Sequence, residues 1–120
     1  MEPAEWTKHE LIQDHISTLA KQSAQMPLVV QFGSESCALC PKATLDIDNA
    51  KRSHDFEWKY EDVFKSDSGL AEELGVTALP ALLVLHDVFN HTLYQKLRGN
   101  DVTDIIKDHC QTRLVLDEDF

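Results

Sequence analysis

A chain of 120 residues in which eleven Lys and Arg face twenty-one Asp and Glu carries a formal charge of −10, so phosphate backbones and anionic lipid are repelled and neither nucleic acid nor a membrane surface is expected as a partner. With 42% hydrophobic and 27% charged residues and only four Gly and four Pro, the composition is that of a globular protein rather than a disordered one. The length suits a single domain over 1–120, with its core at about 6–110 and an acidic tail at 111–120.

The predicted elements begin at Thr7-Lys8-His9-Glu10, a capping box that opens a helix with Leu11, Ile12, His15, Ile16 and Leu19 on one face, ending near Gln25. Met26-Pro27 breaks it. Leu28 to Phe32 is a nearly continuous apolar run, the pattern of a strand buried on both faces. A second helix, with Cys37 and Cys40 on its first turn, carries Ala43, Ile47 and Ala50 as far as Arg52 and Ser53. Pro41 is tolerated there because first-turn N–H groups have no intrahelical acceptor to lose.

Phe56 to Val63 alternates aromatic and charged residues with the period of a half-buried strand. Asp67 or Ser68 is placed to cap a short helix with Leu70, Ala71 and Leu74, which Gly75 ends. Val76 to Pro80 leads into an apolar strand at Ala81 to Leu85, and a turn at Asp87 to His91, with His86 and His91 at the surface, precedes a strand at Thr92 to Leu97. Asp101 is placed to cap a last helix with Val102, Ile105 and Ile106 on one face. This order implies an α/β domain: a central mixed sheet with helices on both faces.

No run approaches the roughly 20 apolar residues that cross a bilayer, and MEPAEWTKHE is polar and acidic where a secretory signal is basic and then apolar. A cytoplasmic location is the expectation. In a reducing compartment three cysteines point to chemistry or metal binding rather than to structural disulfides.

Residues three apart lie on one side of a helix, so a Cys37–Cys40 disulfide is geometrically available. The unpaired N–H groups and partial positive charge at a helix N-terminus stabilise a thiolate, which assigns Cys37 the nucleophilic role and Cys40 the resolving one. A C-x-x-C pair also serves as half a zinc site, and His54 falls at a finger-like distance. Residues 55 to 59 supply no second histidine, however, and Cys110 stands alone, so a closed four-ligand site is not expected. A pair of inert core thiols is the remaining alternative. Cys110, on the last helix, reads as a packed thiol, and Ser36 as a cap for the cysteine helix.

Val29-Val30-Gln31-Phe32, then Cys37-Ala38-Leu39-Cys40, then Gly75-Val76-Thr77-Ala78-Leu79-Pro80, then Gly99 before a final helix, make the chain resemble the thioredoxin family over about residues 6 to 110. The resemblance implies a thioredoxin-like fold and a protein disulfide oxidoreductase active in cell redox homeostasis. Its substrates would be disulfide-containing proteins and its electron source a reductase or glutathione, with no cofactor and no metal. It further implies a cis-proline at Pro80, with Leu79 offering its backbone to an extended substrate segment.

The sequence departs from the family at four positions near the pair. Ser36 stands where typical members have Trp, Ala38-Leu39 where they have Gly-Pro, and Gln31 where they have a buried Asp that assists proton movement at the resolving cysteine. Gln31, Ser36, Ala38 and Leu39 are therefore candidate modulators. An amide is no general base at neutral pH, and Gln31 also reads as a satisfied core amide. The alternative function is a redox-inactive module of the same fold that holds a protein partner.

Overall fold

The computed structural model describes residues 26–66, 69–87 and 90–112. The helix predicted from Thr7 to near Gln25, and most of the acidic tail, lie outside them. The described elements are β1 (Leu28–Gly33), α1 (Cys40–Ala50), β2 (Glu57–Asp62), α2 (Leu70–Leu74), β3 (Ala81–Asp87), β4 (Asn90–Tyr94) and α3 (Asp101–His109).

The strand order is β2-β1-β3-β4. β1 runs parallel to β2, with Val29 opposite Trp58 and Gln31 opposite Tyr60, and antiparallel to β3, with Leu28 opposite Leu85. β4 pairs antiparallel with β3. A parallel pair needs a crossover, and α1 provides it between β1 and β2, whereas β3 and β4 need only a short turn.

Every residue of β1 is buried. Alternation then sends its side chains into two cores. Val29 joins Leu82 and Val84 of β3 beneath Ala43 and Ile47 of α1 and Val102, Ile105 and Ile106 of α3. Leu28, Val30 and Phe32 pack with Leu83 and Leu85 against Leu70, Ala71 and Leu74 of α2. Helices thus cover both faces of a mixed sheet, as the pattern predicts. Large side chains such as Phe32, Ile47 and Ile106 are fully buried, each stabilising the fold by about 1.5–3 kcal/mol.

Five expectations need correction. The cysteine helix starts at Cys40, with Leu39 as its N-cap and no side-chain cap hydrogen bond; Cys37 lies in the turn before it, and Ser36 caps nothing. Asp101 is the first residue of α3 rather than its cap, which is Asn100. Its carboxylate instead accepts the Arg98 N–H at 2.9 Å. The last strand is Asn90–Tyr94, because β3 runs on to Asp87 through an irregularity between Leu85 and Asp87 and shortens the turn. Lys96, at φ 57°, then turns the chain away. His91, opposite Leu85, is only half-exposed and its Nδ1 is buried.

Candidate functional site

The site forms where β1 ends. Gly33, the last β1 residue, feeds a turn in which the Cys37 N–H donates to Ser34 O and the Cys40 N–H to Cys37 O, both at 3.3 Å. α1 follows at once, with Pro41 in its first turn. Cys37 and Cys40 are joined as a disulfide, their Cα atoms 5.4 Å apart. Their surroundings differ: Cys37 is half-exposed in the turn and Cys40 is 4% exposed at the head of α1. The two ends of the disulfide therefore differ in how far their residues are open to solvent.

Of the candidate modulators, Ala38 is exposed within the turn, and Leu39 is 44% exposed although apolar. The Ser36 hydroxyl lies 3.2 Å from that of Ser34. Glu35 in the same turn forms an ion pair with Lys65. Gln31 is fully buried with both ends of its amide engaged. Its Nε2 donates to Thr44 Oγ1 at 2.9 Å, and its Oε1 accepts the Trp58 indole N–H at 3.2 Å. It ties α1 to β2 as a satisfied core amide.

The Leu79–Pro80 bond is cis, and Pro80 is buried. Pro80, Leu39, Leu97 and Gly99 line one shallow groove of about 170 Å³ beside the cysteine turn. Leu79 lines a different cleft, of about 430 Å³, between α2 and residues 76–79, whose wall includes Phe64. The structure thus gathers Leu39 and Pro80 on one groove and sends the Leu79 side chain elsewhere.

Two contributions escaped the sequence reading. Gln95 Oε1 accepts the N–H groups of Thr77 at 2.7 Å and Ala78 at 3.0 Å, while the Leu97 N–H donates to Pro80 O at 3.2 Å. The chain just after β4 therefore clamps the loop that carries Pro80.

The second contribution is Tyr60. A Cβ built on Gly33 would lie 2.8 Å from the Tyr60 hydroxyl oxygen and 3.2 Å from Cys40 Sγ. The phenol and the inner sulfur therefore border the same small space, and only glycine leaves that space open. A glycine inside a strand was the available signal, since it often marks a close approach. Burial raises the Tyr60 pKa, aided by the negative charges of Asp62 and Glu35 and opposed by Lys65.

Cys110 is the free thiol, 6% exposed, its pKa pushed up to about 11 by burial. Far along α3 a second polar cluster joins three rings. The Tyr94 hydroxyl lies 2.6 Å from His109 Nε2, and His109 Nδ1 lies 3.0 Å from His86 Nε2. Among the described residues no helix is long and apolar enough to cross a membrane.

No protein-family model and no curated protein matches this sequence. Solved structures do. A thioredoxin from Plasmodium falciparum is similar with a TM-score of 0.66 at 18% identity, over 80% of this chain and 83% of that one. A mutant thioredoxin from Halobacterium salinarum gives 0.63 at 22% identity, over 81% and 85%. Mitochondrial thioredoxin 3 from Saccharomyces cerevisiae, in its oxidised form, gives 0.57 at 27% identity, over 79% and 88%.

Proposed function

We propose that this chain, whose fold is that of the thioredoxins, is a thiol-disulfide oxidoreductase that works through Cys37 and Cys40. The observation that carries the reading is the disulfide-bonded pair at the head of α1, one residue half-exposed and the other buried.

In the reduced protein the Cys37 thiolate attacks a substrate disulfide. A Cys37–substrate S–S bond forms and one substrate sulfur leaves as a thiolate. The Cys40 thiol then loses its proton and its thiolate attacks Cys37 Sγ. The Cys37–Cys40 bond forms, the mixed disulfide breaks, and the second substrate sulfur leaves and is protonated. The substrate gains two electrons, and the pair that lost them is restored by a reductase or by glutathione. Neither step calls on a metal or cofactor.

Substrates are disulfide-bearing proteins. An extended segment would lie along the Leu79–Pro80 backbone by strand-like pairing, with the groove at Leu39, Pro80 and Leu97 taking a side chain beside its cysteine. The whole chain, 1–120, is taken as one domain, and a reducing compartment such as the cytoplasm suits the cycle.

Turnover of an insulin-type disulfide under dithiol reductant tests the reading. Reduction that depends on both Cys37 and Cys40 is expected. Its absence, with the fold intact, would overturn the enzyme in favour of a partner-holding module. Equilibration against glutathione buffers then separates a reductase from an oxidase or isomerase.

A further inference from the structure

The resolving step requires Cys40 to lose a proton, yet the residue is buried, at 4% exposure. The polar residue buried in β1 offers no base. Gln31 is an amide, held by Thr44 on one side and Trp58 on the other, so it accepts no proton at neutral pH. A group that both borders Cys40 Sγ and touches water would meet the need.

Tyr60 has both properties. Its hydroxyl and Cys40 Sγ lie 2.8 Å and 3.2 Å from one point above Gly33, and the residue is 47% exposed on β2, an edge strand of the sheet among the described residues. We propose that Tyr60 is the proton relay of this site, carrying the Cys40 proton to solvent and then donating its hydroxyl hydrogen bond to the Cys40 thiolate, across the gap that Gly33 leaves open. The proposal rests on the oxidoreductase reading for its place in a cycle.

The transfer balances. As the Cys40 S–H proton moves to the phenol oxygen, the phenol's own proton moves to water at its exposed edge, giving a thiolate, a neutral phenol and a hydronium ion. The phenol never needs to carry charge. The groups facing it are Glu35 in the cysteine turn, Asp62 at the end of β2, Lys65 just after that strand, and Cys40 itself. Burial and the two carboxylates hold the phenol neutral near pH 7, which keeps it a donor. Hydrogen bonds to ionised groups are the strong ones, so the thiolate gains more from this contact than the thiol does.

Gly33 becomes part of the device. Any side chain there would meet the phenol oxygen at 2.8 Å and displace it.

The test uses Tyr60→Phe, which removes only the hydroxyl, and Gly33→Ala, which keeps Tyr60 and pushes it aside. In a Cys37→Ser background, thiolate ultraviolet absorbance reads the Cys40 pKa without any turnover. Both changes should raise it by about one unit. In the two-cysteine protein, single-turnover resolution of the mixed disulfide should slow about tenfold at pH 7 in each variant, while formation of that disulfide keeps its rate. The deficit should shrink towards pH 9 as Cys40 ionises unaided.

An unchanged Cys40 pKa in both variants, or a deficit equal at every pH, would overturn the relay. A shifted Cys40 pKa in the variants, together with a wild-type protein that never forms a mixed disulfide, would instead overturn the oxidoreductase reading and leave the Tyr60–Cys40 contact standing.

Discussion

Thr44 stands one helical turn beyond Cys40, and its hydroxyl accepts the hydrogen bond that Gln31 Nε2 donates at 2.9 Å. The amide therefore grips the helix that carries the inner cysteine, while Trp58 on β2 holds its other end. Gln31→Leu keeps the bulk and deletes both bonds, leaving a partly buried indole N–H without its acceptor. It should cost about 1–3 kcal/mol in denaturant melts. A change below about 0.5 kcal/mol would show the tie to be dispensable.

Gln31→Asp adds a chemical question. A buried carboxylate would be held above its usual pKa by desolvation, and the shorter side chain cannot keep both bonds. Resolution of the mixed disulfide should quicken near neutral pH, the gain fading as Cys40 ionises unaided, while the fold weakens by about 1–3 kcal/mol. Rates flat across pH 6 to 9 would confine Gln31 to a packing role.

The two active cysteines should separate by mutation. Cys37→Ser abolishes disulfide reduction; Cys40→Ser accumulates a mixed disulfide with substrate, visible on a non-reducing gel. Equal trapping by both variants would reverse the assignment of roles.

Cys110 should behave oppositely to Cys37. Burial raises its pKa to about 11, so almost none of it is thiolate at pH 8. In the reduced native protein a thiol reagent should label Cys37 quickly and Cys110 only after denaturant is added, and Cys110→Ser should leave turnover nearly unchanged. Rapid labelling of Cys110 in the native state would contradict its packing against the core formed by α1 and α3.

Acid should loosen the far end of α3. The His109 pKa lies below the ordinary 6.5, first through burial and then through the neighbouring His86, against a small opposing pull from Asp108. As pH falls through 6.5, the unfolded chain takes up a proton that the folded chain resists. Stability is therefore full above that value and declines below it. Urea midpoints between pH 5 and 8 should show the decline in the native chain and a flatter profile in His109→Gln. An identical slope in both would place the acid sensitivity elsewhere.

Much of this was legible before the fold was known. A nearly continuous apolar run gave β1, and side chains spaced for one helical face gave the buried side of α1. The start of α1 was misplaced by three residues because C-x-x-C spacing fits a turn leading into a helix as well as a helix itself. Pro41, favoured at the first helical positions, was the better marker. On β2 the strict alternation pointed Tyr60 inward with Trp58. Yet Glu61 is the buried residue and Tyr60 is half-exposed, since an edge strand is covered unevenly and a long phenol can reach across a neighbouring glycine. The Gln95 clamp had no local signal at all. Its partners lie in a loop that only the β3–β4 pairing brings near.

The cysteine turn hangs from a strand whose two neighbours come from distant parts of the chain: Leu28 pairs with Glu57 on one side and Leu85 on the other. Such contacts are slow to form, because long loops must close before any pairing repays the lost entropy. During synthesis the residues of the turn are complete long before β3 exists. Until β3 and β4 dock, the clamp on Pro80 is missing and β1 lacks one of its two neighbours, so the two thiols sit in a loosely held segment. On the oxidoreductase reading, redox competence therefore comes late in folding.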